Sequence, residues 1–551
     1  MLRVNSLIGK GSLGNTGIID LGYRSLSTTA APKAFRKRPT SKSNKFIHDY
    51  SVLPYMLQYR IATDEELQLG PKSHSNIAKY LFQEGGVESL DWSTNSAMFE
   101  RYPLTDSRKL KKRTRRPKNV KMLTSDFIED SLYNPKYGYF SREVVIFQPD
   151  EPFNYKNLKG RDDFLDQWLK AYNKYDKERV AKFPQSKIKT EKENAVDNLV
   201  SKSTNITGKK DVQIEKPSLQ LWHTPTELFQ PYYGEALAKY ILINYKLNQY
   251  PYNDLIIYEI GAGNGTLMLN ILDFLERNEP EVYKRTKYRI VEISSKLFNK
   301  QSSRLIRHMD KVEVINKSFL DWDTLVDEPC FVVALEVFDN LAHDAVRYDI
   351  NTNKPYQGYV VVDEHNDFRE FYSPDLEPWT AHFLKSRELS DIPISSIPEH
   401  PVNQLSVVMK LKNSLNPLRN DLTGAEYVPT RLLKLFEILR NYFPNHQLLA
   451  SDFSTLNEAN RGYNAPVVQT MLHDNMVNVD SYMCDQGYFD ILFPTDFAVI
   501  NGLYKQVVGK ISNTCTHEDF LKVWGDIEAT TTKSGENPML ELYSNASFIY
   551  S

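Results

Sequence analysis

The stretch Leu255-Ile256-Ile257-Tyr258-Glu259-Ile260-Gly261-Ala262-Gly263-Asn264-Gly265-Thr266 constrains the fold more than any other part of this 551-residue chain. An apolar, β-branched run enters a glycine-rich turn. A helix-period segment leaves it, with Leu267, Ile271, Phe274 and Leu275 on one face. Strand, tight turn and helix in that order open a βαβ unit. Gly261 and Gly263 permit unusual φ values and let the backbone approach a ligand closely. The helix N-terminus beyond them offers free N–H groups to a carboxylate or other anion. From Asp254 onward short apolar runs keep alternating with helical patterns, which predicts an α/β fold built on a mostly parallel sheet.

Further strands place acids at one edge of that sheet. Tyr288-Arg289-Ile290-Val291 reads as a second strand and ends in Glu292, 27 residues past Gly265. A carboxylate there can accept hydrogen bonds from both hydroxyls of a ribose, in a dinucleotide as well as in other nucleosides. A third strand is expected at Val312–Asn316, followed by Ser318 and Phe319. A fourth, Phe331–Leu335, runs into Glu336-Val337-Phe338-Asp339-Asn340. Ligands of open α/β sheets sit at the carboxyl ends of the strands. Glu259, Glu292, Glu336 and Asp339 therefore gather on one rim, which suits a cationic cofactor and a cationic substrate.

Composition narrows the function. The net charge of −2 gives no basic excess for a dedicated nucleic-acid binder, so no nucleic-acid partner is expected. A mean hydropathy of −0.49, without a run of about 18 apolar residues, predicts no transmembrane segment. Cys330, Cys484 and Cys515 are too few and too scattered for a disulfide framework or a zinc site, and no metal is expected. The pattern Gly9-Lys10-Gly11-Ser12-Leu13-Gly14 matches the dinucleotide fingerprint as written, yet no strand precedes it.

Residues 1–45 carry nine basic residues and one acid, Asp20, with many Ser and Thr. That is the composition of a mitochondrial transit peptide. Residues 46–119 follow as a basic, partly ordered extension. It contains the run Arg108-Lys109-Leu110-Lys111-Lys112-Arg113-Thr114-Arg115-Arg116-Pro117-Lys118, read as a solvated, mobile connector, or else a docking site for an acidic partner or an anionic membrane. Residues 120–250 are expected to form a helical region covering the cofactor edge. It is interrupted at 176–216 by a Lys-, Glu-, Ser- and Asn-rich insertion too poor in apolar residues to order itself. Residues 251–510 are expected to form the main domain, with a helical substrate lobe at about 375–445, and 511–551 a C-terminal segment.

The spacing Glu-x-Gly-x-Gly-x-Gly at Glu259–Gly265 resembles the first motif of class I S-adenosylmethionine-dependent methyltransferases, not the G-x-G-x-x-G of dinucleotide enzymes. Several blocks in order resemble one family across about residues 120–505: the mitochondrial complex I assembly methyltransferases, with bacterial relatives. Asp126 to Tyr139 resembles the family's opening helix and N-P-x-x-G-Y turn. Thr224-Pro225-Thr226-Glu227 with Tyr233-Gly234-Glu235, Val291-Glu292-Ile293-Ser294, Glu336-Val337-Phe338-Asp339 and Asp485–Phe497 resemble later blocks. The chain departs from the pattern at Asn264 in the loop, at Leu335 before the acid block, and at Leu448–Phe453.

The resemblance implies a Rossmann-like seven-stranded methyltransferase of the mitochondrial matrix with S-adenosylmethionine as cofactor. It implies symmetric dimethylation of an arginine in a protein partner, a complex I subunit, with the oligomeric state left open. The implied cofactor residues are Thr224, Glu259, Gly261, Ala262, Gly263, Gly265, Glu292, Ser318 and Phe319. The implied catalytic carboxylates are Glu227, Glu336 and Asp339. The other reading is a methyltransferase-like assembly scaffold that binds a mitochondrial partner and transfers little or nothing.

Overall fold

Seven strands form the central sheet: Leu255–Ile260 (β1), Thr286–Val291 (β2), Val312–Ile315 (β3), Cys330–Leu335 (β4), His446–Phe453 (β5), Asn513–Thr516 (β6) and Ala546–Tyr550 (β7). Their spatial order is β3-β2-β1-β4-β5-β7-β6. β1 to β5 pair in parallel, β7 lies antiparallel to β5, and β6 antiparallel to β7. β7 alone is therefore reversed. The order switches direction between β1 and β4, where open α/β sheets bind ligands. This computed structural model describes residues 48–49, 99–142, 145–182, 221–293, 307–405, 422–457, 459–472 and 475–551. The expected transit peptide, residues 46–47 and 50–98 of the expected 46–119 extension, and residues 183–216 of the expected insertion lie outside the described residues.

Alternation along β1 explains how the sheet is covered. Leu255 and Ile257 join one core with the helices Tyr232–Asn248 and Thr266–Asn278. Ile256, Tyr258 and Ile260 join a second core with the helices Thr430–Tyr442 and Phe497–Val508. A strand buried on both faces must be apolar throughout, as β1 is apart from Glu259. Within residues 120–250, expected to be helical, the helix Tyr232–Asn248 is present.

The long connection from β4 to β5 departs from expectation. The stretch 375–445 does hold helices, at Pro378–Glu388 and Thr430–Tyr442, and the second of these covers the central sheet. The bulk of the insertion is an antiparallel sheet: Asp344–Tyr348, Pro355–Val362, Phe368–Ser373 and Glu426–Val428, joined by Val120–Leu123 and His48–Asp49. Runs such as Tyr359-Val360-Val361-Val362 are β-branched and short, which favours strands over helices. Helix Thr124–Tyr133 packs on this sheet and shares its core. Residues 120–250 are mixed, not wholly helical, since Val145–Ile146 pairs in parallel with Leu221–Trp222.

Two other expectations change. Helix Arg161–Lys182 runs into the stretch read as a disordered insertion from 176. The basic run 108–118 is anchored: it starts in the helix Ser107–Leu110, Leu110 is fully buried, and Arg116 is bonded to the Gln486 carbonyl at 2.7 Å. No helix among the described residues is long and apolar enough to cross a membrane.

Candidate active site

The turn after β1 has the conformation its glycines predict. Gly261, Gly263 and Gly265 have φ of +69°, +53° and +79°, in the left-handed region that favours glycine. The Gly261 N–H donates to the Val291 carbonyl at 3.1 Å, and that of Gly265 to the Ala262 carbonyl at 2.8 Å. Helix Thr266–Asn278 starts directly behind, with Gly265 as a cap that has no side chain to occupy the first N–H groups. A Cβ on Gly261 would stand 3.4 Å from Val337, so the loop adjoins the segment that follows β4. A Cβ on Gly263 would lie 2.9 Å from the Ile146 side chain, which closes over the loop from the N-terminal region.

Glu227 is held against this loop. It lies in the short helix Pro225–Leu228, is 2 % exposed, and its Oε1 accepts from Asn264 Nδ2 at 2.7 Å and Thr266 Oγ1 at 2.8 Å. These bonds tie Glu227, the carboxylate implied as catalytic beside Glu336 and Asp339, to the glycine loop. Thr224, implied as a cofactor contact, uses its hydroxyl to cap the same helix by accepting from the Glu227 N–H at 3.2 Å. Asn264, the departure from the family pattern, is the donor that Glu227 holds.

The other implied cofactor residues divide. Glu292 stands at the tip of β2, buried, with its carbonyl accepting from Asn316 Nδ2 and its N–H donating to Ile315. Ala262 is buried inside the loop. Glu259 faces the interior, where it accepts from the Tyr288 hydroxyl at 2.7 Å. Burial pushes its carboxyl up to about 7, with the Tyr288 bond working in the opposite direction. Its contact is thus with the framework under the loop. Phe319 turns into the core, where its ring stacks on Phe443 at 5.5 Å, while Ser318 stays partly exposed at the start of that turn.

Beyond β4 the acids converge. Glu336 is held at φ +52°, a strained value for a residue with a side chain, and its N–H donates to the Ser451 carbonyl at 2.9 Å. Asp452, at the end of β5, accepts from the Phe338 and Asp339 N–H groups at 2.7 and 3.3 Å. Asn340 Nδ2 donates to Asp490 at 3.3 Å, and the Phe493 N–H donates to the Asp339 carbonyl. Glu336, Asp339, Asp452 and Asp490 are thereby brought to one place. No lysine or arginine pairs with any of them among the described residues. Asp339 Oδ1 and Asp490 Oδ2 have no hydrogen-bond partner there, although the two residues are 2 % and 0 % exposed.

The electrostatic consequence is direct. Burial and then the neighbouring Asp452 raise Glu336 well above the usual carboxyl range. Burial, Asp452, Asp490 and Glu336 do the same to Asp339. Burial raises Asp452 to about 7 and Asp490 to about 8. Buried carboxyls without a cationic partner favour the neutral form, and a cation brought beside them would favour the charged one. Asp452 and Asp490 were not singled out in the sequence. Asp452 carried a readable signal, a lone acid directly after the run Leu448-Leu449-Ala450-Ser451. Asp490 lay in the Asp485–Phe497 block, but only the tertiary fold brings that segment to the rim.

Asp273, Glu276 and His308 are close enough to share an ion, but Arg307 already pairs with both acids at 2.9 and 3.1 Å.

A seven-stranded sheet with only β7 reversed, a glycine turn after β1, and an acid at the tip of β2 define a class I methyltransferase. The glycine-lined turn, the uncapped helix start and the Glu292 carboxylate fit the carboxylate and ribose of S-adenosylmethionine. The family described as "Putative S-adenosyl-L-methionine-dependent methyltransferase" matches residues 236–514, half of the chain, and the chain belongs to it. Its cofactor is S-adenosyl-L-methionine.

The chain is similar to the Protein arginine methyltransferase NDUFAF7 homolog, mitochondrial, of Schizosaccharomyces pombe. The two are 26 % identical over 340 residues, 57 % of this chain and 68 % of the relative. It is also similar to the protein of that name in Saccharomyces cerevisiae, 22 % identical over 341 residues, 58 % of this chain and 77 % of the relative. Among solved structures, a Burkholderia thailandensis protein bound to S-adenosyl-homocysteine superposes with a TM-score of 0.44 and 13 % identity. The match covers 78 % of this chain and 88 % of that one.

Proposed function

We propose that this chain is a mitochondrial protein-arginine methyltransferase that symmetrically dimethylates an arginine of a respiratory complex I subunit in the matrix, and so supports assembly of that complex. The observation that carries the reading is the pair of buried, unpartnered oxygens on Asp339 and Asp490, in an acid group without a cation beside the glycine loop. A guanidinium is cationic at every physiological pH, and its planar fork of N–H groups matches paired carboxylates. The basic residues 1–45 and the names of the two fungal relatives support the mitochondrial location.

The chemistry follows from the arrangement. S-Adenosylmethionine supplies an electrophilic methyl group. Asp339 and Asp490 accept N–H bonds from the guanidinium and hold its plane, which fixes the approach of the attacking nitrogen. As the new N–C bond forms and the S–C bond breaks, that nitrogen gives up one proton. A carboxylate whose proton affinity burial has raised is suited to take it. Glu336, which follows β4 and adjoins Asp452, accepts that proton in this reading. Glu292 holds the ribose and Glu227 keeps the loop in shape.

The test is incubation of the purified protein with radiolabelled S-adenosylmethionine and mitochondrial protein extract, followed by amino-acid analysis of the labelled product. Symmetric dimethylarginine in a complex I subunit is the expected result. Cofactor binding without label on any arginine would overturn the reading.

A further inference from the structure

We propose that the exposed basic strip Arg108–Lys118 is the docking surface for an acidic segment of the protein substrate, the segment that carries or flanks the target arginine. This rests on the reading of an arginine-bearing protein substrate given above. Eight of the eleven residues in the strip are Lys or Arg.

The fold lays the strip along the rim of the site. At one end, Lys111 and Arg108 approach Asp321 at 3.5 and 3.9 Å, in the turn that follows Ser318 and Phe319 after β3. At the other end, Arg116 donates to the Gln486 carbonyl, and its guanidinium lies 4.4 Å from the centre of the Tyr488 ring. Gln486 is four residues before Asp490, so that end lies within about 14 Å of the acid group. Buried Leu110 and Pro117 pin the strip from beneath. It therefore bridges the β3 side of the rim and the acid-lined side.

Charge complementarity selects the partner. Arg108, Lys109, Lys112, Arg113, Arg115 and Lys118 are exposed. Among the described residues Lys112, Arg113 and Arg115 make no ion pair, so their charge is available to an outside group. The acid group next door attracts the cationic target side chain, and the strip attracts anionic residues near it. A substrate segment with an arginine and acids at a short remove satisfies both, which gives register as well as attraction. A bilayer is the less suitable occupant. None of the exposed large hydrophobic side chains lies within 108–118, so the strip has nothing to insert between lipids.

The experiment uses the full chain and a triple variant, Lys112→Ser with Arg113→Ser and Arg115→Ser. S-Adenosylmethionine binding serves as the check of folding. Fluorescence anisotropy with a labelled Asp- and Glu-rich peptide that contains no arginine reads the strip alone. Binding that weakens roughly tenfold in the variant, and also weakens with added salt, is expected for three exposed pairs. In methyl transfer, KM for an arginine peptide with acidic flanks should rise about as much, with kcat unchanged and a neutral-flanked arginine peptide unaffected. Equal acidic-peptide binding by the two proteins, or by neither, overturns the proposal. So does flotation with phosphatidylserine-containing vesicles that only the variant loses while peptide binding stays the same. Absence of transfer to every arginine peptide, with acidic-peptide binding still dependent on the strip, refutes the arginine reading and removes the substrate from the proposal while its binding surface stands.

Discussion

The Glu227 carboxylate accepts the Asn264 side-chain amide at 2.7 Å, joining two residues 37 positions apart across the mouth of the glycine turn. The same oxygen accepts from Thr266, the first residue of the following helix. One buried acid thus ties together the turn and the N-terminus of the helix behind it. Glu227→Ala removes the carboxylate that accepts from two buried donors, and a lost hydrogen bond to a charged group costs about 1.5–3 kcal/mol. Titration calorimetry should show S-adenosylmethionine bound at least tenfold more weakly, with the sheet intact by circular dichroism. Unchanged affinity would remove Glu227 from the support of the loop.

Gly263→Val should abolish cofactor binding outright. At φ +53° a side chain costs about 1–2 kcal/mol. Its Cβ would also stand 2.9 Å from Ile146, so the side chain must displace Ile146 or enter the ligand's space. Measurable binding of S-adenosylmethionine by the variant would show that the ligand does not approach this turn.

Asp339→Asn should lower turnover by a factor of at least 100 while the dissociation constant of S-adenosylmethionine changes less than twofold. Asp490→Asn should behave in the same way and Glu336→Gln more mildly, since neither Asp339 nor Asp490 has another partner for its free oxygen. Single-turnover assays beside calorimetry separate the two effects. A variant with full turnover would be excluded from the mechanism.

Rate and stability should respond to pH in opposite directions. Asp452 and Asp490 are raised to about 7 and about 8 by burial. Asp490, one of the two carboxylates assigned to the guanidinium, becomes charged as pH rises through about 8, so kcat/KM should climb between pH 7 and 9. A carboxyl whose folded pKa lies above its unfolded one adds stability below the unfolded value, near 4, and loses it as pH rises through the folded pKa. The thermal midpoint of the free protein should therefore fall from pH 5 to 8, and fall less in Asp490→Asn. A midpoint independent of pH over that range would show that these groups do not titrate as described.

Arg387→Ala should destabilise the inserted sheet severely. Arg387 and Glu426 are each 1 % exposed and ion-paired, and Glu426 also accepts from His400 at 2.9 Å and from the Tyr348 hydroxyl. Removing the guanidinium strands a buried carboxylate, at about 3–5 kcal/mol. Those interactions hold Glu426 down at about 2. The stability it contributes is therefore present above its unfolded pKa, near 4.5, and is lost as pH falls toward 2. Denaturant melts of the variant at pH 7 check the magnitude, and a loss below 1 kcal/mol would refute it.

The core of the fold was legible because its determinants are local. β1, the glycine turn and the helix behind it are contiguous, and their left-handed φ values follow from having no side chain at Gly261, Gly263 and Gly265. β2, β3 and β4 appeared within a residue or two of their expected bounds, since a short β-branched run between breakers carries its own signal. The lobe after β4 was not legible as a sheet. Its run Tyr359–Val362 did carry a strand signal, but the partner of that strand, Val120–Leu123, lies more than 220 positions upstream, and pairing over that distance leaves no mark on periodicity.

The site divides along the same line. Residue types at strand ends determined that a glycine turn, Glu292, Glu336 and Asp339 share one rim, because the carboxyl ends of parallel strands all point the same way. Only the tertiary structure decided that Glu227 belongs to the glycine turn and that Asp452 and Asp490 complete the acid group. It alone turned Phe319 into the core and anchored the basic strip beside the site. Each of these depends on which distant segments pack together. A side chain's partner, and hence its charge and its role, is set by that packing and not by its neighbours along the chain.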